Sequence, residues 1–231
     1  MYALLICHNP DERAFLSLVL QRAGLAVTTA GTLERALDTW EERPADLILV
    51  ASIGDPLEET GRIRAETSVP LIVLVDGGTE ESCAQTLEQG ADLVVPRPYG
   101  VRLLLAQVKS LMRRARNVPL SDLPTLSLAG LTLDPATRSV WVEGAAPRRL
   151  THLEFRLLYN LMIHRAQILS PDVIVERVWG YSGQGDKELV RGLVSRLRAK
   201  VEPEPRSPRY ILTQPGVGYS FDPEGASAAP R

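Results

Sequence analysis

Five times within the first 117 residues a short, largely apolar run is followed by a helical pattern, and that rhythm limits the possible folds more than any other feature of the chain. The runs are 3–7, 26–30, 47–51, 71–75 and 93–95; the helical patterns after them are 11–23, 33–42, 58–66, 80–89 and 101–115. Strands wet on one face alternate polar with apolar residues, whereas strands covered on both faces read as near-continuous apolar runs, as most of these do. Helical crossovers between such strands predict a parallel sheet and a doubly wound α/β fold. In that class the working site lies beyond the carboxyl ends of the strands. Cys7, His8, Ala51, Val75 and Arg97 stand at those ends.

The pattern changes after a stretch with two prolines, Pro119 and Pro124, which marks a linker. Short alternating runs at 126–128, 131–133 and 140–142 are broken by Ala129-Gly130, Asp134-Pro135 and Glu143-Gly144, so they predict small antiparallel strands. Thr151 with Glu154 three residues on forms a capping-box signature, and Phe155, Leu158, Leu161 and Met162 continue it as an apolar helical face. Ser170-Pro171 opens a second helix in N-cap and N1 chemistry. A third helix covers 187–201 and stops before Pro203 and Pro205; a hairpin of 210–213 and 218–221 turns at Pro215-Gly216. The expected organisation is an N-terminal (βα)5 domain over 1–117, a linker over 118–124, an α+β domain over 125–224 and a tail over 225–231.

Of the 231 residues 45% are hydrophobic and 23% charged, so each half can bury a core. No apolar stretch is long enough to span a membrane and no signal segment opens the chain, which predicts a cytoplasmic protein. Cys7 and Cys83 are far apart and lack metal-ligand spacing; reduced thiols are expected, and no metal or other cofactor. Residues 1–117 hold sixteen acids and twelve bases, residues 118–231 twelve acids and fourteen bases, so the basic excess lies in the second half. Seven bases against three acids fall within 187–209, the footprint of a surface that meets phosphates. Phosphate loops, nucleophile elbows and paired catalytic carboxylates are missing from the sequence, so no enzyme activity is expected.

This order of motifs resembles the OmpR/PhoB family of response regulators along nearly the whole chain. PADLILVA at 44–51, VPLIVLV at 69–75 and GADLVVPRP at 90–98 resemble the landmarks of its receiver domain; LTHLEFRLL at 150–158, LSPDVIVERVWGY at 169–181, VSRLRAKV at 194–201 and PRYILTQPGVGYSF at 208–221 resemble its winged helix-turn-helix. The resemblance implies a receiver that accepts a phosphoryl group on an aspartate ending the third strand, with Mg²⁺ on acidic residues and a hydroxyl and a lysine on the phosphoryl oxygens. At those positions this chain has Ala51 for the nucleophile, Cys7 and His8 for the acidic pair, Val75 for the hydroxyl and Arg97 for the lysine. The implied phosphorylation site is degenerate. The alternative of a kinase-driven regulator would have to use Asp46, which opens its strand, or Asp55, four residues beyond the usual place.

For the second half the resemblance implies a helix in the major groove of double-stranded DNA. With Val190, Val194, Leu197 and Val201 as the core stripe, Glu188, Leu189, Gly192, Ser195 and Arg196 are expected to face outward, flanked by Arg191, Arg198, Leu193 and Lys200. Arg196, Glu188, Leu189 and Leu193 then fall to the bases, and Arg191, Arg198 and Lys200 to phosphates. Pro215 stands where the family's wing commonly has an arginine; Arg209, Gln214 and Ser220 are the candidate substitutes. The reading is a regulator acting as a homodimer independently of phosphorylation, with Leu93, Leu103 and Gln107 in the dimer face and RNA polymerase as a further partner. A protein-interaction adaptor is the other alternative.

Overall fold

The computed structural model describes residues 1–38, 40, 44–51, 54–116, 123–180 and 187–222, with the backbone alone at 114–116. The expected linker falls almost entirely, and the tail wholly, outside the described residues. The chain divides into two compact units, Met1–Arg113 and Arg114–Arg231.

In the first unit β1 (Tyr2–Cys7), β2 (Ala26–Ala30), β3 (Leu47–Ala51), β4 (Leu71–Asp76) and β5 (Leu93–Arg97) form one parallel sheet in the order β2-β1-β3-β4-β5. The helices α1 (Pro10–Arg22), α2 (Leu33–Asp38), α3 (Pro56–Glu66), α4 (Glu80–Gln89) and α5 (Val101–Arg116) alternate with the strands. The apolar runs were the right signal: all five residues of β3 and the first five of β4 are buried. β2 is the exception, a sheet-edge strand whose Thr28 and Thr29 are exposed. Helix starts follow local chemistry. Asn9 caps α1 by accepting from Asp11 N and Glu12 N, and Asp55 caps α3 by accepting from Leu57 N at 2.9 Å, with proline at the first position of each helix.

The second unit opens with a four-stranded antiparallel sheet of β6 (Leu126–Leu128), β7 (Leu131–Asp134), β8 (Ser139–Val142) and β9 (Arg148–Arg149). β9 was not anticipated, because two arginines carry no alternating pattern. Three helices follow, α6 (His152–Ile163), α7 (Pro171–Val178) and α8 (Lys187–Val201), then the hairpin β10 (Ile211–Gln214) and β11 (Gly218–Phe221). The capping box is present: Glu154 N donates to Thr151 Oγ1 at 3.3 Å and Thr151 N to Glu154 Oε2 at 2.8 Å. Phe155, Leu158, Leu161, Trp179, Val190, Leu197 and Phe221 fill the core. The hairpin is fastened by reciprocal backbone bonds between Leu169 and Tyr219. Gly218 is required there, since a Cβ would run into the Leu169 carbonyl.

Candidate functional site

The parallel pairing Cys7↔Ala51, Val75↔Pro96 and Asp76↔Arg97 helps bring the five strand-end residues to one edge of the sheet. Ala51 and Val75 are buried there and His8 is exposed. Cys7 is also buried, its Sγ lying 3.4 Å from Asn9 O and 3.8 Å from Glu12 Oε2. Burial first, then the neighbouring Glu12 carboxylate, pushes the Cys7 thiol above its ordinary range, so it stays protonated. Cys83 is likewise a free thiol raised by burial.

Arg97 does not wait for a ligand. Its Nε donates to Glu12 Oε1 at 2.8 Å and its Nη2 to Glu12 Oε2 at 3.1 Å, a two-pronged pairing, while Nη1 reaches Asp76 Oδ1 at 3.1 Å. Tyr99 adds a third donor to the same carboxylate, 3.1 Å from Glu12 Oε1. The Arg97 hydrogen bonds hold the Glu12 carboxyl below the usual range against the opposing effect of burial. Tyr99 is pushed up to about 12, by burial first and then by the Glu12 charge. Glu12, Asp76 and Tyr99 were not singled out in the sequence. An arginine in a position that suits a point-charge lysine was the available signal, since a planar fork selects a carboxylate partner.

A covalent phosphoryl carrier needs a carboxylate nucleophile, and Ala51 offers a methyl group. Mg²⁺ demands hard oxygen ligands, yet a thiol and an imidazole occupy the acidic-pair positions and the nearby Glu12 is held by Arg97; these residues do not fit that ion. Among the described residues no three His, Cys, Asp or Glu side chains gather as a metal-binding set. Asp46 Oδ2 accepts from Tyr2 N at 2.8 Å near the opposite end of the sheet, and Asp55 caps α3.

In the second unit, Lys187, Arg191, Ser195 and Ala199 are exposed at four-residue spacing along α8, with Glu188 and Arg196 half-buried beside them. Arg191 pairs with Glu188 at 2.8 Å, and their side chains are 54% and 29% exposed. Two residues expected to face outward and one expected on a flank do not reach the surface. Leu189, Gly192 and Leu193 are buried, because α8 packs against α6, α7 and β8 and its apolar stripe is wider than the Val190-Val194-Leu197-Val201 line. Neither leucine can touch a base from there. Two expected phosphate contacts are also redirected. Arg198 Nε donates to Ile211 O at 3.0 Å and its Nη2 to Thr213 Oγ1 at 2.8 Å, with the guanidinium 6.0 Å from the Tyr219 ring centre, tying α8 to the hairpin. Lys200 Nζ binds Glu154 Oε2 at 2.6 Å and Arg149 O at 3.1 Å, tying α8 to the capping box.

The hairpin is held from below by Glu202, whose buried carboxylate accepts from the backbone N–H groups of Arg209, Tyr210 and Ile211 at 2.7 to 3.1 Å. At its tip, Gln214 is half-buried, Pro215 and Val217 are exposed, and Gly216 takes the left-handed conformation of the turn at φ 73°. Arg209 is exposed and stacks 5.5 Å from the Tyr210 ring centre; Ser220 is buried and leaves the set of wing contacts. The dimer face needs one correction too. Leu93 is only 3% exposed, inside the core of its own unit, whereas Leu103 is 61% exposed and Gln107 half-buried on α5. His164 is engaged within the fold: its Nδ1–H faces Asn160 O at 2.8 Å and its Nε2 accepts from Arg177 at 2.6 Å.

A five-stranded parallel receiver fold joined to a three-helix, winged unit defines a response-regulator architecture. Residues 145–221 match the family model "Transcriptional regulatory protein, C terminal". The chain is 35% identical over 227 residues to the transcriptional regulatory protein AfsQ1 of Streptomyces coelicolor, covering 96% of this chain and 99% of that protein. It is 32% identical over 223 residues to the DNA-binding response regulator MtrA of Mycolicibacterium smegmatis, covering 95% and 96%. With the KDP operon transcriptional regulatory protein KdpE of Escherichia coli it shares 32% identity over 217 residues, 91% of this chain and 96% of that one. A solved structure of a RitR mutant shares the fold with a TM-score of 0.73 at 23% identity, covering 96% of this chain and 98% of that one. The protein belongs to the OmpR/PhoB family of response regulators. No helix among the described residues is long and apolar enough to cross a membrane.

Proposed function

We propose that this protein is a sequence-specific regulator of transcription that binds double-stranded DNA through α8 and the β10–β11 hairpin, as a cytoplasmic homodimer that needs no phosphoryl transfer. The observation that carries the reading is Ala51 at the end of β3, together with an arginine at the end of β5 already occupied by Glu12 and Asp76. Base reading falls to Arg191, Ser195, Glu188 and Arg196, the polar residues on or beside the exposed side of α8. Arg209 and Gln214 supply the hairpin's contacts. The Glu188–Arg191 pair, with side chains 29% and 54% exposed, lies between neighbouring turns of one helix, where such pairs contribute roughly 0.3–0.5 kcal/mol. Pairing of two copies does not involve Leu93; Leu103 and Gln107 remain available on α5, and RNA polymerase is the further partner. The family membership of AfsQ1, MtrA and KdpE supports the DNA-binding part of this reading.

Selection of bound fragments from a random duplex pool, with and without a small phosphodonor, tests the reading. One enriched motif with two half-sites, the same in both arms, is expected. Enrichment only with the phosphodonor would overturn independence from phosphorylation, and no enrichment in either arm would overturn DNA reading.

A further inference from the structure

A carboxylate directly after a helix stands in an unfavourable place, because the carbonyl end of the helix already carries partial negative charge. Glu202 occupies that place behind α8: it follows Val201, its N–H still donates to Arg198 O at 2.8 Å, and it is 6% exposed. The backbone of the hairpin answers its charge. Arg209 N donates to Oε2 at 2.7 Å, Ile211 N to Oε1 at 2.7 Å, and Tyr210 N to Oε1 and Oε2 at 3.0 and 3.1 Å. Three successive donors converging on one side chain call for a group that only accepts. An ionised carboxylate does so, whereas an amide or a hydroxyl also brings donors of its own.

The base of this clasp is itself fixed. Arg148 Nη1 donates to Ala199 O at 3.0 Å and to Lys200 O at 3.2 Å, and Lys200 Nζ donates to Arg149 O at 3.1 Å. Between Glu202 and Arg209 lie Pro203, Pro205 and Pro208, whose rings restrict φ, so the joined loop has few ways to swing. Other bonds already fasten the hairpin to the unit, from Arg198 to Ile211 O and Thr213 Oγ1 and between Leu169 and Tyr219. What Glu202 adds is the place where the hairpin begins, and with it the stance of Arg209. That residue is exposed and stacks 5.5 Å from the Tyr210 ring centre, while its backbone N–H is gripped from within.

We propose that Glu202 is a positioning residue for DNA recognition, a role that rests on the DNA-binding function proposed for α8 and the hairpin. Its carboxylate fixes the backbone of Arg209 so that the Arg209 guanidinium meets a DNA phosphate while the exposed side of α8 is seated on the bases. Glu202 is buried and negative and does not touch the duplex. Removing its charge would by itself favour a polyanion, so a lost phosphate contact has the opposite sign to the simple electrostatic effect.

The affinity of the full chain for its selected duplex is measured over a range of salt for wild type, Arg209→Ala, Glu202→Gln and the double variant. Urea denaturation of each checks that it is folded. Loss of one phosphate contact lowers the salt slope by about one unit. That drop is expected in Arg209→Ala and again in Glu202→Gln, with no further drop in the double variant, because both changes act on one contact. Base preference at the positions read by α8 stays as in wild type. No drop in either single variant, or drops that add in the double variant, would overturn the positioning role alone. A wild type that does not bind would overturn the DNA-binding function and this role with it, so the two failures are told apart. Should Glu202→Gln not fold, Glu202→Asp, which keeps the charge and draws the carboxylate back by one methylene, takes its place in the same cycle: the same drop supports the role and an unchanged slope overturns it.

Discussion

The strand ends of the first unit and the exposed side of α8 both carry charge, and they dispose of it in opposite ways. At the strand ends Glu12 and Arg97, 21% and 18% exposed, close on each other, and Tyr99 and Asp76 complete the ring. On α8 the Glu188–Arg191 pair lies between neighbouring turns of one helix, with Arg191 54% and Glu188 29% exposed. A charge half-withdrawn from water and fixed from several directions is costly to re-pair, whereas an exposed pair exchanges partners cheaply. The first region has become framework, and the second remains a surface that can trade its protein partner for a ligand.

The largest expected effect sharpens the boundary between framework and surface within the two units. Leu193→Asp places a carboxylate in the core of the winged unit and should cost about 3–5 kcal/mol or unfold that unit outright. Leu18→Asp, on the exposed side of α1, should stay within roughly 0.5 kcal/mol of wild type. Urea denaturation of both variants checks this; equal losses would mean that burial does not separate the two positions.

Next comes the ring itself. Glu12→Gln should remove about 1.5–3 kcal/mol, because two charge-assisted bonds to Arg97 weaken together. The pH dependence has a definite sign. Arg97 holds the folded Glu12 carboxyl below its ordinary value, so its contribution is complete above the unfolded value near about 4.3 and is lost as pH falls through the lowered folded value. Glu12→Gln should flatten that acid limb of the stability curve. An unchanged limb would show that the pairing is not held in solution.

Smaller and more specific effects belong to α8. Arg191→Ala should weaken binding to the selected duplex by about 1–3 kcal/mol and relax preference at one base position. Arg198→Ala should instead lower stability by roughly 1 kcal/mol, through its lost bonds to Ile211 and Thr213, and leave base preference intact. Binding measured on the selected and scrambled duplexes, beside denaturation, separates the two roles. An exchange of these phenotypes would break the assignment.

Much of the scaffold was legible from local chemistry. Apolar runs announced the parallel strands, and Ser170-Pro171 and Thr151 with Glu154 announced two helix starts, because those signals act within a few residues. The α8 surface was legible only in part. A four-residue apolar stripe looks sufficient on a wheel, but Leu189 and Leu193 are claimed by helices whose packing angle no local pattern encodes. Arg198 and Lys200 were misassigned for the same reason: their partners lie 13 and 46 residues away. Glu12 and Arg97 are 85 residues apart, so the absence of a carboxylate at position 51 could be read in the sequence while the pairing that engages Arg97 could not.

The central claim is that the strand-end site is closed to phosphoryl chemistry while the winged unit stays active. The full chain, incubated with acetyl phosphate and Mg²⁺, is measured by intact mass and by affinity for its selected duplex in the same sample. The expected result is an unchanged mass and an unchanged affinity, identical to the untreated protein. A phosphoryl adduct mapped to Asp46 or Asp55, accompanied by tighter DNA binding, would contradict it.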